Sequence, residues 1–370
     1  MAELPFFEEY RTDTLVSHHM ATIRIWVYDG IMASGVAGPI DVFNVANHLS
    51  ARDVSGTSKR SPMFTWRVES LDGQPVRTAS RQIISVDGRI DPRHRADAIL
   101  LTAPFFTDMD QFVGRREQLN ALSSALRRQR KAGAVLAAYC TGNYLLAEAG
   151  LLDGRVATTH WAKAGDFAQR YPHVELRAHE VLTAQDGIVS GGSVTSYLNL
   201  AVRLVEMFAD EELAARTAKS LLIDTHRASQ ASYATLLFDH GHADPLIARA
   251  QQRMEATLEQ GFQLSELADS LAVSERTLNR RFKRAVGLAP VSYLQNLRIE
   301  VAKRLLESRP IGLEMVSQRV GYGDISTFRQ LFKRKTGLSP SEYQMRFARP
   351  SAAGREESEL PPDHRSRSTG

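Results

Sequence analysis

Two segments of this chain read almost alike: RTLNRRFKRAVGLAPVSYLQ (Arg276–Gln295) and STFRQLFKRKTGLSPSEYQM (Ser326–Met345). Identical residues recur between them at a constant offset of fifty positions. The recurring pairs include Phe282/Phe332, Lys283/Lys333, Arg284/Arg334, Gly287/Gly337, Leu288/Leu338, Pro290/Pro340 and Tyr293/Tyr343. So many matches in one register indicate an internal repeat rather than chance.

The pattern of each copy predicts a helix-turn-helix unit. In the first copy, the leucines of Leu264–Leu271 recur at helical spacing, which predicts a helix with one apolar face. Ala272–Val273 forms the turn, and Ser274 is a suitable N-cap for a second helix. In the second copy, a glycine turn at Gly321–Gly323 separates the corresponding helices.

The second helix of each copy is predicted to face DNA. Its apolar residues point inward, while Arg, Asn and Gln, which read base edges, point outward with Lys and Arg, which neutralise phosphates. The predicted base-reading residues are Arg276, Asn279, Arg280, Ser326, Thr327, Arg329 and Gln330, and the predicted phosphate contacts are Lys283, Arg284, Lys333 and Arg334. The alternative is an ordinary basic helix with a solvated face. Two copies in register, each with the same Gly-Leu-x-Pro-x-x-Tyr tail, favour a paired DNA-binding domain.

This region, about a hundred residues long, resembles the DNA-binding domain of the AraC/XylS family. Between the copies, RIEVAKRLL (Arg298–Leu306) is similar to the family's Arg-x-x-x-Ala-x-x-Leu-Leu pattern. The resemblance implies that a long helix at Ser292–Ser308 connects the two units, and that double-stranded DNA is the partner. A rigid connector would hold the two recognition helices about 34 Å apart, one turn of the duplex.

Composition and charge agree with this prediction. The chain has 370 residues, enough for two or three domains, and a net charge of +4. Counting Gln251–Pro350 gives 17 Lys and Arg against 10 Asp and Glu, so a charge of +7 lies there, which suggests a polyanionic partner. The chain has one cysteine and shows no secretory signal or apolar stretch long enough to span a membrane, so we expect a cytoplasmic protein.

The residues before the repeat predict an α/β domain. Apolar strands alternate with helical stretches, which is typical of a doubly wound, flavodoxin-like parallel sheet. The predicted strands are Ile23–Tyr28, Phe64–Ser70, Ala98–Thr102 and Ala134–Tyr139, and the predicted helices are Ile40–Leu49, Asp108–Arg130, Asn143–Ala149 and Ser193–Phe208. The predicted organisation is a disordered extension (1–20), an effector-sensing α/β domain (21–210), a linker (211–245), an all-α DNA-binding domain (246–348) and a disordered tail (349–370).

The cysteine, Cys140, stands at the end of one predicted strand, in VLAAYCTGNYLLAEAG (Val135–Gly150). Ala138 and Gly142 are small enough for the tight strand-to-helix turn of a nucleophile elbow. A thiol at a helix N-terminus is expected to have a lowered pKa, and His160 is a candidate partner for it. A lone cysteine with a downstream histidine is more often structural, so these residues alone leave its role open.

Three segments resemble the ThiJ/PfpI superfamily, which has the class I glutamine amidotransferase-like fold. They are VAGPIDVFNVAN (Val36–Asn47), the segment that contains Cys140, and RVATTHW (Arg155–Trp161). More closely, the chain resembles the superfamily branch fused to an AraC-type domain, the GlxA-type transcriptional regulators. The superfamily's enzymes carry an acidic residue four positions before the proline of the Gly-Pro motif, where this chain has Gly35. The resemblance therefore implies an effector pocket at Cys140, Thr141 and His160 rather than a working active site.

We therefore predict a sequence-specific transcriptional regulator that responds to a small metabolite bound in its N-terminal domain. It is expected to be a homodimer, to contact RNA polymerase and to need no cofactor or metal. The alternatives are a cysteine-dependent hydrolase or hydratase and a redox sensor, both of which would use Cys140 and His160. A further motif, HGHADP (His240–Pro245), is predicted to be a polar linker, although its two histidines and its aspartates would suit a metal.

Overall fold

A computed structural model of the protein describes residues 20–51, 63–105, 108–225, 229–233, 242–308 and 311–348. The chain divides into two compact units, Met1–Gln230 and Ala231–Gly370. Across the described ranges, no helix is long and apolar enough to cross a membrane. The predicted N-terminal extension, apart from Met20, and the predicted tail lie outside the described residues.

A mostly parallel sheet forms the centre of the first unit. The strands of this unit are β1 (Ala21–Trp26), β2 (Phe64–Ser70), β3 (Val76–Arg77), β4 (Ile83–Ile84), β5 (Gly88–Arg89), β6 (Ala98–Leu101), β7 (Val135–Tyr139), β8 (Val156–Ala157), β9 (Glu175–Leu176), β10 (Leu182–Gln185) and β11 (Ile188–Gly191). Seven of them form one sheet in the order β10-β11-β7-β6-β1-β2-β5. All its pairings are parallel except that of β10 with β11. Within it, β2-β1-β6-β7-β11 reproduces the flavodoxin-like strand order, which confirms the predicted fold class.

The helices of the first unit pack on this sheet. They are α1 (Ser34–Ala51), α2 (Met109–Val113), α3 (Arg116–Lys131), α4 (Asn143–Glu148), α5 (Ala164–Arg170), α6 (Ser196–Phe208) and α7 (Glu211–Ser220). The single helix predicted at Asp108–Arg130 was wrong, because the chain leaves helical geometry at Arg115 (φ −76°, ψ 57°) between α2 and α3. The linker predicted from residue 211 also began too early. Leu213, Ala214 and Ala218 of α7 are buried in the same core as the sheet.

The second unit is helical in its described residues. Its helices are α8 (Pro245–Ala256), α9 (Leu264–Ser270), α10 (Glu275–Val286), α11 (Pro290–Ser308), α12 (Leu313–Arg319), α13 (Ile325–Thr336) and α14 (Pro340–Phe347). They bury two separate apolar clusters, one around α10 and one around α13. The long helix α11 contributes Tyr293 and Leu294 to the first cluster and Ile299, Ala302 and Leu306 to the second. The predicted connecting helix is therefore shared by both cores.

The repeated residues have the same structural role in both copies. The ring of Phe282 packs against that of Tyr293 at 5.3 Å, and the ring of Phe332 packs against that of Tyr343 at 5.4 Å. Gly287 and the equivalent Gly337 end α10 and α13 with a φ of 78°, a left-handed conformation that favours glycine. The fifty-residue repeat thus specifies an aromatic pair and a helix C-cap in each copy.

A buried arginine of α11 joins the two halves of the second unit. The Arg298 guanidinium donates to the carbonyl oxygens of Leu258 and Gln260, which follow α8, at 3.1 and 2.6 Å. It also lies 5.0 Å from the centre of the Tyr322 ring, in the turn between α12 and α13. A Cβ on Gly321 would come within 2.6 Å of this guanidinium, so the turn needs glycine there. This role of Arg298 is not evident from the sequence pattern alone.

Candidate DNA-binding surface and thiol site

Helix α10 presents one apolar and one basic face. The Ser274 hydroxyl caps its N-terminus by accepting from the Thr277 backbone N–H. Leu278 and Phe282 are fully buried on its inner face. On the outer face Arg276 and Arg280 are exposed, as are Lys283 and Arg284, whereas Asn279 is half-buried. The outward set predicted from the sequence is therefore on the surface, with Asn279 the least accessible member.

Helix α13 repeats this arrangement with a different cap. The Asp324 carboxylate accepts from the backbone N–H groups of Ser326 and Thr327. It also accepts from the Thr327 hydroxyl at 2.6 Å, so that hydroxyl already has a partner within its own helix. Arg329 and Gln330 are exposed and point away from the buried Phe328 and Phe332. Ser326, Arg329 and Gln330 are exposed, and among the described residues their side chains form no hydrogen bond or ion pair.

The cations on the outer faces of these helices are available to a ligand. In the part of the chain that the structure describes, no ion pair involves the following side chains: Arg276, Arg280, Lys283, Arg284, Arg329, Lys333 and Arg334. Arg281 differs, because it turns back to pair with Asp244 at 2.6 Å. Exposed, unpaired guanidinium and ammonium groups on two equivalent helices form a surface suited to phosphates and base edges.

Cys140 occupies a sharp turn directly after β7. Its backbone has a φ of 54°, which is unusual for a residue with a side chain and agrees with the predicted nucleophile elbow. The Cys140 carbonyl oxygen accepts from the side chains of Asn143 and Thr159, at 3.2 and 3.0 Å. The second of these bonds brings the segment that contains His160 next to the elbow.

The predicted lowering of the thiol pKa was wrong. Cys140 is only 5% exposed, and this burial raises the pKa of its thiol to about 11, although hydrogen bonds to Thr141 act in the opposite direction. Thr141 is also buried, and its hydroxyl donates to the Pro104 carbonyl oxygen. The thiol is therefore protonated and poorly nucleophilic near neutral pH.

His160 is near the elbow but has another structural role. Its Nδ1 accepts from the Ala162 backbone N–H at 3.2 Å and caps the short 3-10 helix Trp161–Lys163. Among the described residues, no hydrogen bond joins the imidazole to the Cys140 thiol. Burial lowers the pKa of His160, and the nearby Lys163 acts in the same direction. Cys140 and His160 therefore lie in neighbouring segments but are not arranged as a nucleophile and its base.

The structure explains why the acid position holds Gly35. A Cβ added to Gly35 would lie 1.6 Å from the hydroxyl oxygen of Tyr139, the residue just before Cys140. The Tyr139 side chain therefore fills the space through which an acidic side chain on α1 would reach. Burial raises the pKa of Tyr139 well above its ordinary value, so this hydroxyl is not a substitute acid at neutral pH. No pattern in the sequence marked Tyr139 as part of the site.

The histidines near residue 240 were predicted to be linker rather than metal ligands. His240 lies outside the described residues, whereas His242 hydrogen-bonds the Gln251 side chain at 2.8 Å. Asp244 caps α8 and pairs with Arg281. In the described ranges, no group of three or more His, Cys, Asp or Glu residues could hold a metal ion.

Comparison with known proteins assigns both parts of the chain. Residues 267–346 match the helix-turn-helix domain family, and residues 112–207 match the DJ-1/PfpI family. The HTH-type transcriptional regulator CdhR of Pseudomonas aeruginosa is 27% identical over 85% of this chain and 88% of its own length. GbdR of the same species is 25% identical over 87% of this chain and 83% of its own length, and GlxA of Rhizobium meliloti is 26% identical over 61% and 70%.

These matches define the class of protein, because a DJ-1/PfpI domain is joined in one chain to an AraC-type helix-turn-helix domain. CdhR and GbdR, which match most of this chain and most of their own length, are HTH-type transcriptional regulators. The protein is an HTH-type transcriptional regulator that carries a DJ-1/PfpI domain and an AraC-type helix-turn-helix domain.

Proposed function

We propose that this regulator grips duplex DNA with α10 and α13 and alters its binding when a small metabolite occupies the α/β unit. The observation that carries the proposal is the matched pair of exposed basic helices whose cores share α11. A connector with residues in both cores holds the helices in a fixed relation. Both are then suited to enter successive turns of the major groove from one side of the duplex.

The outward residues divide by chemistry. We assign base reading to Arg276, Asn279, Arg280, Ser326, Thr327, Arg329 and Gln330, and phosphate contacts to Lys283, Arg284, Lys333 and Arg334. Thr327 reads a base only if its hydroxyl leaves Asp324. The lysines and arginines of the phosphate set lie in the last turns of their helices, where a cation also complements the helix dipole.

We also propose that the α/β unit senses a ligand without turning it over. Three observations support this: Gly35 at the acid position, the raised pKa of the Cys140 thiol, and the engagement of the His160 imidazole in capping a helix. A ligand near Cys140, Thr141 and His160 would lie at the carboxyl end of β7, the edge at which such sheets bind ligands. The regulator is proposed to act in the cytoplasm as a homodimer that contacts RNA polymerase.

Arg280→Ala tests the DNA contact. If Arg280 reads a guanine bidentately, its loss is expected to cost about 1–3 kcal/mol at one base position, a loss of roughly 5-fold to 150-fold in affinity for the preferred site. The measurement is a binding titration against a duplex selected from genome-wide mapping and against variants of each base pair. Arg216→Ala, an exposed arginine on α7 of the other unit, is the matched control. An equal loss on every sequence would make Arg280 a phosphate contact, and no loss would remove it from the interface.

Cys140→Ser separates sensing from the two alternative functions. A sensor keeps its DNA binding and changes only its response to effector. A hydrolase or hydratase would lose turnover of its substrate. A redox sensor would show peroxide-dependent DNA binding that the substitution abolishes.

A further inference from the structure

A cleft of about 790 Å³ lies at the carboxyl ends of β1 and β2. Its lining includes Val27 and Tyr28, which follow β1, and Arg89 of β5. Residues of helix α3 between Arg116 and Arg128 also line it. The volume is that of a typical small-molecule pocket, and the position is the edge of a doubly wound sheet at which ligands bind. No motif in the sequence indicates a site here.

Four arginines line this cleft: Arg89, Arg115, Arg116 and Arg128. Arg89 comes from β5 and Arg128 from α3, and in the described part of the chain neither forms a hydrogen bond or an ion pair through its guanidinium. Arg116 makes a long, exposed pair with Glu148 at 3.5 Å. Uncommitted guanidinium groups from two elements that line one cleft are suited to hold an oxyanion, because each presents its N–H donors in a fork.

The cleft keeps a formal charge of +1, because its four arginines outnumber its three acidic residues, two of which already accept backbone N–H groups. The Asp29 carboxylate accepts from the Arg77 backbone N–H at 2.7 Å. The Asp72 carboxylate accepts from the Gln74 backbone N–H at 2.9 Å, a bond that lowers the pKa of Asp72. The third, Glu117, lies in the first turn of α3, where the helix dipole favours a negative charge.

We propose that this cleft is a second effector site, which binds a small metabolite through a carboxylate or phosphate group that contacts Arg89 and Arg128. The proposal rests on the proposed function only in identifying the ligand as an effector, since anion binding itself can be measured without DNA. It adds a ligand site in the open cleft to the one proposed near Cys140, Thr141 and His160. Tyr28 lies between the two sites, because it lines the cleft and its pKa is raised by burial and also by Tyr139 and Cys140.

Thermal unfolding of the full-length protein tests the proposal. Succinate and inorganic phosphate serve as probes of the two anion sources, and choline serves as the cationic control. Binding to the folded state alone raises Tm in a saturable manner. Arg89→Gln and Arg128→Gln remove the charge while keeping a hydrogen-bonding side chain, and Arg216→Gln is the matched control outside the cleft.

The expected result is a saturable rise in Tm with at least one anion and none with choline, and about tenfold weaker binding in each cleft variant but not in Arg216→Gln. Two results would overturn the proposal: no saturable effect of either anion, or an effect equal in all variants. An unsaturable rise shared by every variant is the general stabilisation that phosphate gives to folded proteins. DNA binding is titrated on the same samples, so failure of the cleft and failure of the regulator assignment give different results.

Discussion

Arg298 is expected to hold the two DNA-binding halves in a fixed relation, and Arg298→Ala should release them. The side chain is buried on α11, bonded to Leu258 and Gln260 of the first half and stacked near Tyr322 of the second. Arg304, exposed on the same helix, supplies the matched control variant Arg304→Ala.

The magnitude follows from these contacts. Hydrogen bonds to a charged group contribute about 1.5–3 kcal/mol each, and the contact with the Tyr322 ring adds about 0.5–2 kcal/mol. Removing the guanidinium also removes several kcal/mol of desolvation cost, so the net loss for Arg298→Ala is expected to be about 2–4 kcal/mol. In a helical unit of this size, about 3 kcal/mol lowers Tm by roughly 12 °C or more.

The assay combines thermal unfolding with DNA binding by the full chain. Arg298→Ala should lower the Tm of the helical unit and weaken binding to a bipartite operator more than binding to either half-site alone, because the two recognition helices lose their fixed spacing. Arg304→Ala should change neither the Tm of the helical unit nor the preference for the bipartite operator over the half-sites. The proposed role of Arg298 is refuted if Arg298→Ala has the same Tm as the Arg304→Ala control and still discriminates between correctly spaced and respaced half-sites.

Four further predictions concern the elbow and the helix ends. Gly35→Glu should destabilise the α/β unit because its Cβ meets the Tyr139 hydroxyl, and adding Tyr139→Ala should recover part of the lost Tm; equal losses in the single and double variants would contradict that contact. Iodoacetamide should alkylate Cys140 slowly at neutral pH and faster as pH rises towards the thiol pKa of about 11. This folded pKa lies above the unfolded value of about 8.5, so the protonated thiol contributes stability that is fully present below about pH 8.5. The contribution is lost as pH rises through the folded pKa, and the free energy of unfolding measured at several pH values checks this. Gly287→Ala and Gly337→Ala should each lower the free energy of unfolding by about 1 kcal/mol, since both positions have a φ of 78°. A difference in Tm between the two variants would show that the two caps are not equivalent.

The sequence predicted best what depends on neighbours along the chain. Ser274 was expected to cap a helix and does so, and Leu278 and Phe282 face inward as their spacing indicates. The strand at Phe64–Ser70 has the predicted bounds. Boundaries were missed where a short irregular backbone interrupts a helical pattern, as at Arg115 between α2 and α3.

The thiol site was predicted less well, because its properties depend on burial. The sequence placed Cys140 correctly at a sharp turn after a strand, and a helix N-terminus there suggested a lowered pKa. In the folded protein the thiol is almost completely buried, and desolvation outweighs the hydrogen bonds that favour the thiolate. A pattern of residue types contains no measure of solvent exposure, so it could not reveal which effect is larger.

By itself the sequence determined that the chain carries two equivalent helix-turn-helix units behind an α/β domain, because periodicity and a fifty-residue repeat are local properties of the chain. Only the tertiary structure decided that Tyr139 occupies the space beside Gly35, that Arg298 bonds to residues on both sides of α11, and that Arg89 and Arg128 line one cleft. The members of each of these groups are far apart in the sequence. They meet only because parallel strands with crossover helices, and two cores sharing one helix, bring distant segments together.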